Sequence, residues 1–177
     1  GTGGGEFILS LGHPYERTSV TEAWLPNLEV CRQRLAPLGI GVHHVEDDAH
    51  LPFEDEAFDI VINRHEALNA SEVERILRPG GTFITQQVGG KNNNDLSERV
   101  IDDFQPPYAH WDLAFARRVL EEAGLEVLFC EEAFPKQRFF DVGALVYFAK
   151  VIEWEFPGFS VGGCFDRLLA LHAVCKA

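Results

Sequence analysis

A glycine-rich loop and a following acidic residue are spaced as in a site that holds a nucleoside. The loop, Gly1–Glu6, runs directly into Phe7–Leu11, an apolar segment that can begin a helix. Glycine has no Cβ, so such a loop can turn tightly and bring its backbone close to a ligand. Glu22 follows about 20 residues later, the spacing at which an acid at the tip of a second strand accepts hydrogen bonds from ribose hydroxyls.

Both signals have simpler alternatives. A glycine cluster is also typical of a disordered chain end or a cloning remnant, and Glu22 could be an ordinary solvated surface acid. Trp24 could cover one face of an adenine, or it could be a core tryptophan.

A second acid, Asp48, follows the predicted strand 40–45. An aspartate at a strand tip can accept a hydrogen bond from an exocyclic amine, and the N–H of the next residue, Ala49, can bond a ring nitrogen. This combination predicts recognition of adenine.

The elements that would position these residues alternate between strands and helices. Predicted strands cover residues 18–21, 40–45, 58–63, 82–88 and 125–133; predicted helices cover 7–11, 26–38, 70–77, 96–104, 112–123, 142–152 and 165–174. Segment 142–152 could be helix or strand, and its length favours helix. Segment 58–63 shows almost no alternation, as expected for a parallel strand that is buried on both faces.

This alternation predicts an α/β, Rossmann-like fold, with a mostly parallel sheet and helices on both of its faces. The residues with chemical potential follow the carboxyl ends of the predicted strands, which is where such folds bind ligands.

Composition excludes several classes of protein. The 177 residues suffice for one domain with a core, and the net charge of −13 disfavours a large nucleic-acid footprint. No apolar run reaches the ~20 residues needed to span a bilayer, and no signal peptide is visible, so we expect no membrane partner. The four cysteines form no CxxC pair, which predicts free thiols in the reducing cytoplasm and no metal site.

Taken together, four stretches resemble the class I S-adenosylmethionine-dependent methyltransferases, and in particular the methyltransferase type 11-like domain. The resemblance extends as far as Val88. The stretches are Gly1–Glu6, Val20–Glu22, Asp48–Phe53 with Phe58–Val61, and Leu77–Phe83.

The resemblance implies a role for each stretch. In that family the glycine loop lies beside the methionine part of the cofactor, the acid after the second strand holds the ribose, and the Asp after the third strand holds the adenine. Asn63 would face the middle of the cofactor or the substrate. The implied cofactor-binding residues are Gly1, Thr2, Gly3, Gly5, Glu22, Ala23, Trp24, Asp48, Ala49 and Asn63.

The sequence departs from the family pattern at two places. The first strand, with its usual acid before the glycines, and the last hairpin strand, expected after Val174, are not seen. We therefore expect one methyltransferase-like domain over residues 1–177 that is cut at both ends, with the substrate-side elements in residues 89–177.

Methyl transfer from a sulfonium is an in-line displacement, so catalysis is largely alignment of the reactants. A nucleophile that carries a proton also needs a general base, for which His65 and Glu66 are the candidates; alternatively, His65 makes only local contacts. Arg64 could bind an acidic substrate or pair with a nearby carboxylate. The residues predicted to line the acceptor pocket are Arg64, Gln86, Gln87, His110 and Trp111.

The favoured function is methyl transfer to an N, O or other nucleophile of a small molecule. Ribosomal RNA is a less favoured acceptor because the chain is acidic. One alternative is a nicotinamide-dependent oxidoreductase, although Glu6 stands where a dinucleotide fingerprint needs glycine. The other is a non-catalytic binding protein that keeps the fold.

Overall fold

The computed structural model describes residues 1–175, which divide into two units. The first unit comprises Gly1–Gln87 and Leu120–Glu126, and the second comprises Val88–Val119 and the chain from Val127 onward. In the first unit the elements are α1 (Glu6–Ser10), β1 (Ser19–Glu22), α2 (Leu25–Arg34), β2 (Gly41–His44), β3 (Phe58–Arg64), α3 (Ala70–Ile76) and β4 (Leu77–Gln86).

The strands of the first unit form two parallel pairs. β1 pairs with β2, with Glu22 opposite His44, and β3 pairs with β4, with Arg64 opposite Gln86. Parallel neighbours need a crossover connection, which α2 supplies for the first pair and α3 for the second. Parallel strands joined by helices confirm the predicted α/β class.

Local sequence signals mark the start of α3 and the end of the segment after α2. Asn69 caps α3 by accepting a hydrogen bond from the Glu72 N–H at 3.1 Å. The segment after α2 ends at Gly39, whose φ of 94° lies in the left-handed region that glycine adopts freely.

A small apolar cluster fastens the glycine loop to the first strand pair. Val20, Cys31, Leu35 and Ile40 are all buried within it. Gly5 is buried against this cluster, and a Cβ at that position would lie 2.9 Å from the Leu35 side chain. Its φ of 84° also favours glycine, so Gly5 has a structural reason to be glycine.

The predicted burial of β3 on both faces is wrong. Ile60 and Ile62 are 54% and 40% exposed. Within residues 1–175, β3 pairs with β4 and no strand pairs with its other edge, and residues of β3 line an open cleft. The apolar run correctly indicated a strand but not its surroundings.

The second unit is largely helical. Its described helices are α4 (Asn94–Val100), most of α5 (Leu113–Glu122), α6 (Val142–Val151) and α7 (Phe165–Cys175). Val100, Leu145, Phe156 and Leu168 belong to its buried cluster. The choice of helix for segment 142–152 is confirmed, and Asp141 caps α6 by accepting from the Ala144 N–H at 2.8 Å.

Two predictions for this unit need correction. The strand expected over 125–133 does not form, and Leu128 and Phe129 are 83% and 80% exposed. A strand needs a hydrogen-bonded neighbour, and no strand described in residues 1–175 pairs with this segment. The helix expected over 96–104 is shorter than predicted, because Ile101 already adopts an extended backbone.

A search of the described helices found none with the length and apolar character that a bilayer crossing requires.

Candidate functional site

Glu22 fastens the glycine loop to the tip of β1. Its Oε2 accepts hydrogen bonds from the N–H groups of Thr2 and Gly3, at 2.8 and 2.9 Å, and its Oε1 accepts one from the Trp24 N–H at 3.0 Å. The Thr2 hydroxyl donates to the Thr21 carbonyl at 2.8 Å. The loop and the strand tip therefore form one hydrogen-bonded structure.

The electrostatics of Glu22 reflect this arrangement. The side chain is 4% exposed, and burial on its own would raise the pKa. The three backbone N–H donors outweigh burial and hold the pKa of Glu22 below its usual value. Glu22 is therefore a stable buried carboxylate, in contrast to the solvated acid that the sequence left open.

Asp48 lies on a loop without regular secondary structure between β2 and β3. Burial, followed by repulsion from the Glu66 carboxylate, raises the pKa of Asp48. The neighbouring Ala49 N–H donates to Asp47 Oδ1 at 2.9 Å, so the backbone donor expected to face adenine has an acceptor within its own loop.

A cleft of about 390 Å³ lies beside the glycine loop in the first unit. Gly1, Thr2, Gly3 and Asp48 line it, together with residues of β1 and β3. A Cβ at Gly3 would meet no atom within 4 Å, and the φ of Gly3 is 59°. The loop backbone at Gly3 therefore borders open space, and the volume falls in the range of roughly 300–1,000 Å³ usual for small-ligand sites.

Asn63, at the end of β3, is held by several hydrogen bonds. Its Nδ2 donates to the Ala67 carbonyl at 2.9 Å, and its Oδ1 accepts from Gln87 Nε2 at 2.7 Å. Gln87 Nε2 also donates to the Glu66 carbonyl at 3.1 Å. These contacts fix the turn that follows β3.

Arg64 is exposed and contacts two neighbours. Its Nε donates to Gln86 Oε1 at 2.9 Å, and its guanidinium lies 5.0 Å from the ring centre of Phe7. The second contact joins α1 to the tip of β3.

The two candidate bases, His65 and Glu66, lie on the wall of the cleft. His65 has a left-handed backbone with φ of 54°, and its N–H donates to the Gln86 carbonyl at 2.8 Å. Glu66 Oε2 lies 2.7 Å from the Gly1 nitrogen. The Glu66 carboxylate therefore lies beside the glycine loop, and His65 lines the same cleft.

The structure places eight of the seventeen predicted site residues on the walls of the cleft. Lining the cleft are Gly1, Thr2, Gly3, Asp48, Asn63, Arg64, His65 and Glu66. Absent from its walls are Gly5, Glu22, Ala23, Trp24, Ala49, Gln86 and Gln87. Trp24 is 62% exposed, and His110 and Trp111 belong to the second unit.

Sequence reasoning missed two contributors to this region. Asp47 bonds the N–H of Ala49, and an aspartate two residues before a turn N–H is a recognisable Asx-turn signal. Phe7 faces the Arg64 guanidinium, and no sequence signal links two residues that lie so far apart in the chain. Within residues 1–175, no group of three or more His, Cys, Asp or Glu residues could hold a metal ion.

Known proteins resemble the part of the chain that carries this cleft. Residues 1–85 match a family described as a methyltransferase domain. A phthiotriol/phenolphthiotriol dimycocerosates methyltransferase of Mycobacterium tuberculosis is 34% identical over 108 residues, which is 56% of this chain and 38% of the relative. A protein of the same name from Mycobacterium bovis matches to the same extent.

The chain thus spans less than two fifths of the length of these curated relatives. The comparisons support methyl transfer and do not support the oxidoreductase alternative. The match over residues 1–85 and the similarity to these relatives support a class I S-adenosylmethionine-dependent methyltransferase.

Proposed function

We propose that this protein transfers a methyl group from S-adenosylmethionine to an N, O or other nucleophile of a small-molecule acceptor. The observation that carries the proposal is the bond between Glu22 and the glycine loop, which joins loop and strand tip beside a cleft that Asp48 also lines. An acid at the end of β1 thus holds the glycine loop, and an acid of the loop after β2 lines the same cleft as that loop.

Part of the predicted residue set fits an adenosyl cofactor. Glu22 accepts three N–H groups, which leaves one of about four carboxylate lone pairs for a ribose hydroxyl. Asp48 and Ala49 would recognise adenine, and open space over Gly3 leaves room for the methionine part. Asn63 would face the middle of the cofactor or the substrate.

When bound, S-adenosylmethionine would supply a methyl group activated by a sulfonium sulfur. The chain's own task would be to align the acceptor and to take up its proton. His65 and Glu66 are the proposed proton acceptors, and both lie on the cleft wall. Arg64, Gln86 and Gln87 are the proposed acceptor-side residues of the first unit.

Two observations favour a small-molecule acceptor. The net charge of −13 gives little attraction for a polyanion, and the names of the relatives describe methyltransferases for phthiotriol and phenolphthiotriol dimycocerosates. We also propose a cytoplasmic location, because Cys31, Cys130, Cys164 and Cys175 are all free thiols.

Calorimetric titration with S-adenosylhomocysteine tests the proposal. We expect micromolar binding that Glu22→Ala and Asp48→Ala each weaken at least tenfold. Asp59→Ala is the matched control, because Asp59 is an exposed acid that forms ion pairs with Arg78 and Arg17 on the surface. Absence of binding by the unmodified protein would refute the proposal, and binding without methyl transfer to any acceptor tested would favour the non-catalytic alternative.

A further inference from the structure

The loop that carries Asp48 is attached to α3 by two charged side chains. Glu72 Oε2 accepts a hydrogen bond from the Leu51 N–H at 2.9 Å. Arg75 donates to the Phe53 carbonyl at 2.8 Å and to the Leu51 carbonyl at 3.2 Å. Arg75 also pairs with Asp55 at 2.8 Å.

Glu72 and Arg75 are themselves joined by two hydrogen bonds. Arg75 Nε donates to Glu72 Oε1 and Nη2 donates to Glu72 Oε2, both at 2.8 Å. The Glu72 side chain is 15% exposed and the Arg75 side chain is 30% exposed. The paired guanidinium lowers the pKa of Glu72 to about 2. Such a two-bond pair fixes direction as well as charge.

The conformation of the loop depends on these contacts because the loop has no regular backbone hydrogen bonding of its own. Residues 45–57 lie between β2 and β3 and have no regular secondary structure. The Asp47 side chain accepts a hydrogen bond from the Ala49 N–H and so spans Asp48. The contacts of Glu72 and Arg75 begin two residues after Ala49, at Leu51. The positions of Asp48 and Ala49 thus depend on the bond from Asp47 and on the contacts that begin at Leu51.

We propose that Glu72 and Arg75 are positioning residues for adenine recognition. They would act through residues 51–55 and set where Asp48 and Ala49 stand relative to the base. This inference rests on the proposed function, because it takes Asp48 and Ala49 as the adenine-binding pair. Neither Glu72 nor Arg75 lines the cleft, so their effect must be transmitted through the loop.

The test compares Arg75→Ala and the milder Arg75→Lys with Arg78→Ala. Arg78 is a matched control, because it also pairs with an acid at 2.8 Å, namely Asp59, but makes no described bond to the 45–57 loop. The first measurement is amide hydrogen exchange of residues 47–53, which needs no ligand. We expect at least tenfold faster exchange in Arg75→Ala, a smaller change in Arg75→Lys and none in Arg78→Ala.

The second measurement is the ratio of affinities for S-adenosylhomocysteine and its hypoxanthine analogue, S-inosylhomocysteine. The analogue places a carbonyl where adenine has its amine, so Asp48 should favour adenine by about tenfold or more. We expect this ratio to fall towards one in Arg75→Ala and to stay unchanged in Arg78→Ala. A purely structural role would lower the melting temperature and leave the ratio intact.

The outcomes separate the two ideas. Unchanged exchange at residues 47–53, or an unchanged ratio in both Arg75 variants, would overturn the positioning role while leaving the proposed function standing. Absence of S-adenosylhomocysteine binding by the unmodified protein would refute the proposed function and the adenine role with it. Exchange would then still decide whether the pair holds the loop.

Discussion

At the scale of single residues, Glu22 shows how one carboxylate can organise a loop. Backbone N–H groups near a chain turn lack partners of their own, and Glu22 satisfies those of Thr2, Gly3 and Trp24 at once. Hydrogen bonds to a charged acceptor are stronger than those between neutral groups. The loop conformation therefore depends on this side chain being ionised.

Glu22→Gln tests that dependence. The amide keeps one acceptor oxygen but turns an NH₂ group towards backbone donors, so we expect a loss of about 1–3 kcal/mol in the free energy of unfolding. Urea titration measures the loss. Glu29→Gln is the control, because Glu29 is an exposed acid of α2 that accepts from Gln33. Equal stability of the two variants would contradict the role given to Glu22.

The lowered pKa values of Glu22 and Glu72 predict acid sensitivity. A carboxyl group with a lower pKa in the folded state contributes stability that is present above its usual value of 4.5 and is lost as the pH falls through the folded value. For Glu72 that window runs from pH 4.5 to about 2. We expect Glu72→Gln to flatten the decline in unfolding free energy over this window, and an unchanged pH profile would count against the Arg75 pair.

The pKa of Asp48 is shifted in the opposite direction from those of Glu22 and Glu72. Its pKa is raised by burial and by Glu66, so its ionised form costs stability at neutral pH. Asp48→Asn should therefore raise the free energy of unfolding slightly, by less than about 1 kcal/mol, while weakening S-adenosylhomocysteine binding. Thermal unfolding and calorimetry measure the two effects, and a variant that loses both stability and binding would contradict this account.

At this scale the sequence predicted part of the lining of the cleft, because residue type limits the chemistry that a side chain can do; the roles of these residues stay predictions. An acid after a strand indicated Glu22 and Asp48, and the cleft contains Asp48 together with the loop that Glu22 holds. The bond between Asp47 and Ala49 was missed because a short side chain can choose between several local donors. Which of these donors the side chain bonds is decided by three-dimensional geometry. The spacing of residues along the sequence does not determine that geometry.

At the scale of elements, local signals and long-range packing behave differently. Caps such as Asn69 and Asp141 act within one turn, and both side chains accept a backbone hydrogen bond at the start of their helix. The helix predicted over 26–38 ends at Arg34, and a separate short turn, Ala36–Leu38, leads to Gly39. The strand predicted over 125–133 and the burial of β3 depended on neighbours distant in sequence, and both predictions were wrong. An apolar run indicates that burial of the segment is favourable. It does not indicate which other element of the fold will pack against that segment.

The cap of α6 gives an element-scale prediction. Asp141 accepts the Ala144 N–H at 2.8 Å, so Asp141→Ala leaves an unpaired donor in the first turn. We expect a cost of about 1 kcal/mol in unfolding free energy, measured by urea titration. Asp141→Asn keeps an acceptor oxygen and should restore most of that loss; equal destabilisation by both variants would show that the cap bond is not the cause.

At the scale of the whole molecule, the acidic charge disfavours a polyanionic partner. The formal net charge is −13, from 28 acidic and 15 basic residues. Neutralising a phosphate backbone requires clustered cations and releases counterions, and an excess of acid opposes that process. A polyanionic acceptor would have to overcome repulsion before any specific contact forms.

We therefore expect no measurable binding of a ribosomal RNA hairpin at physiological salt. Fluorescence anisotropy of the labelled hairpin measures this directly. Binding that weakens steeply as salt rises would indicate a local basic groove and would reopen RNA as an acceptor.

The bond between Asp47 and Ala49 has a consequence for selectivity. A purine nitrogen that takes the Ala49 N–H must first displace Asp47 Oδ1, and the other oxygen of that carboxylate, Oδ2, lies 2.8 Å from His50 Nδ1. Docking then exchanges one acceptor for another, so that this contact adds little net enthalpy. A base without a nitrogen lone pair opposite the Ala49 N–H would break the bond to Asp47 and form no bond in its place. The loop would then select adenine mainly by weakening the binding of other bases.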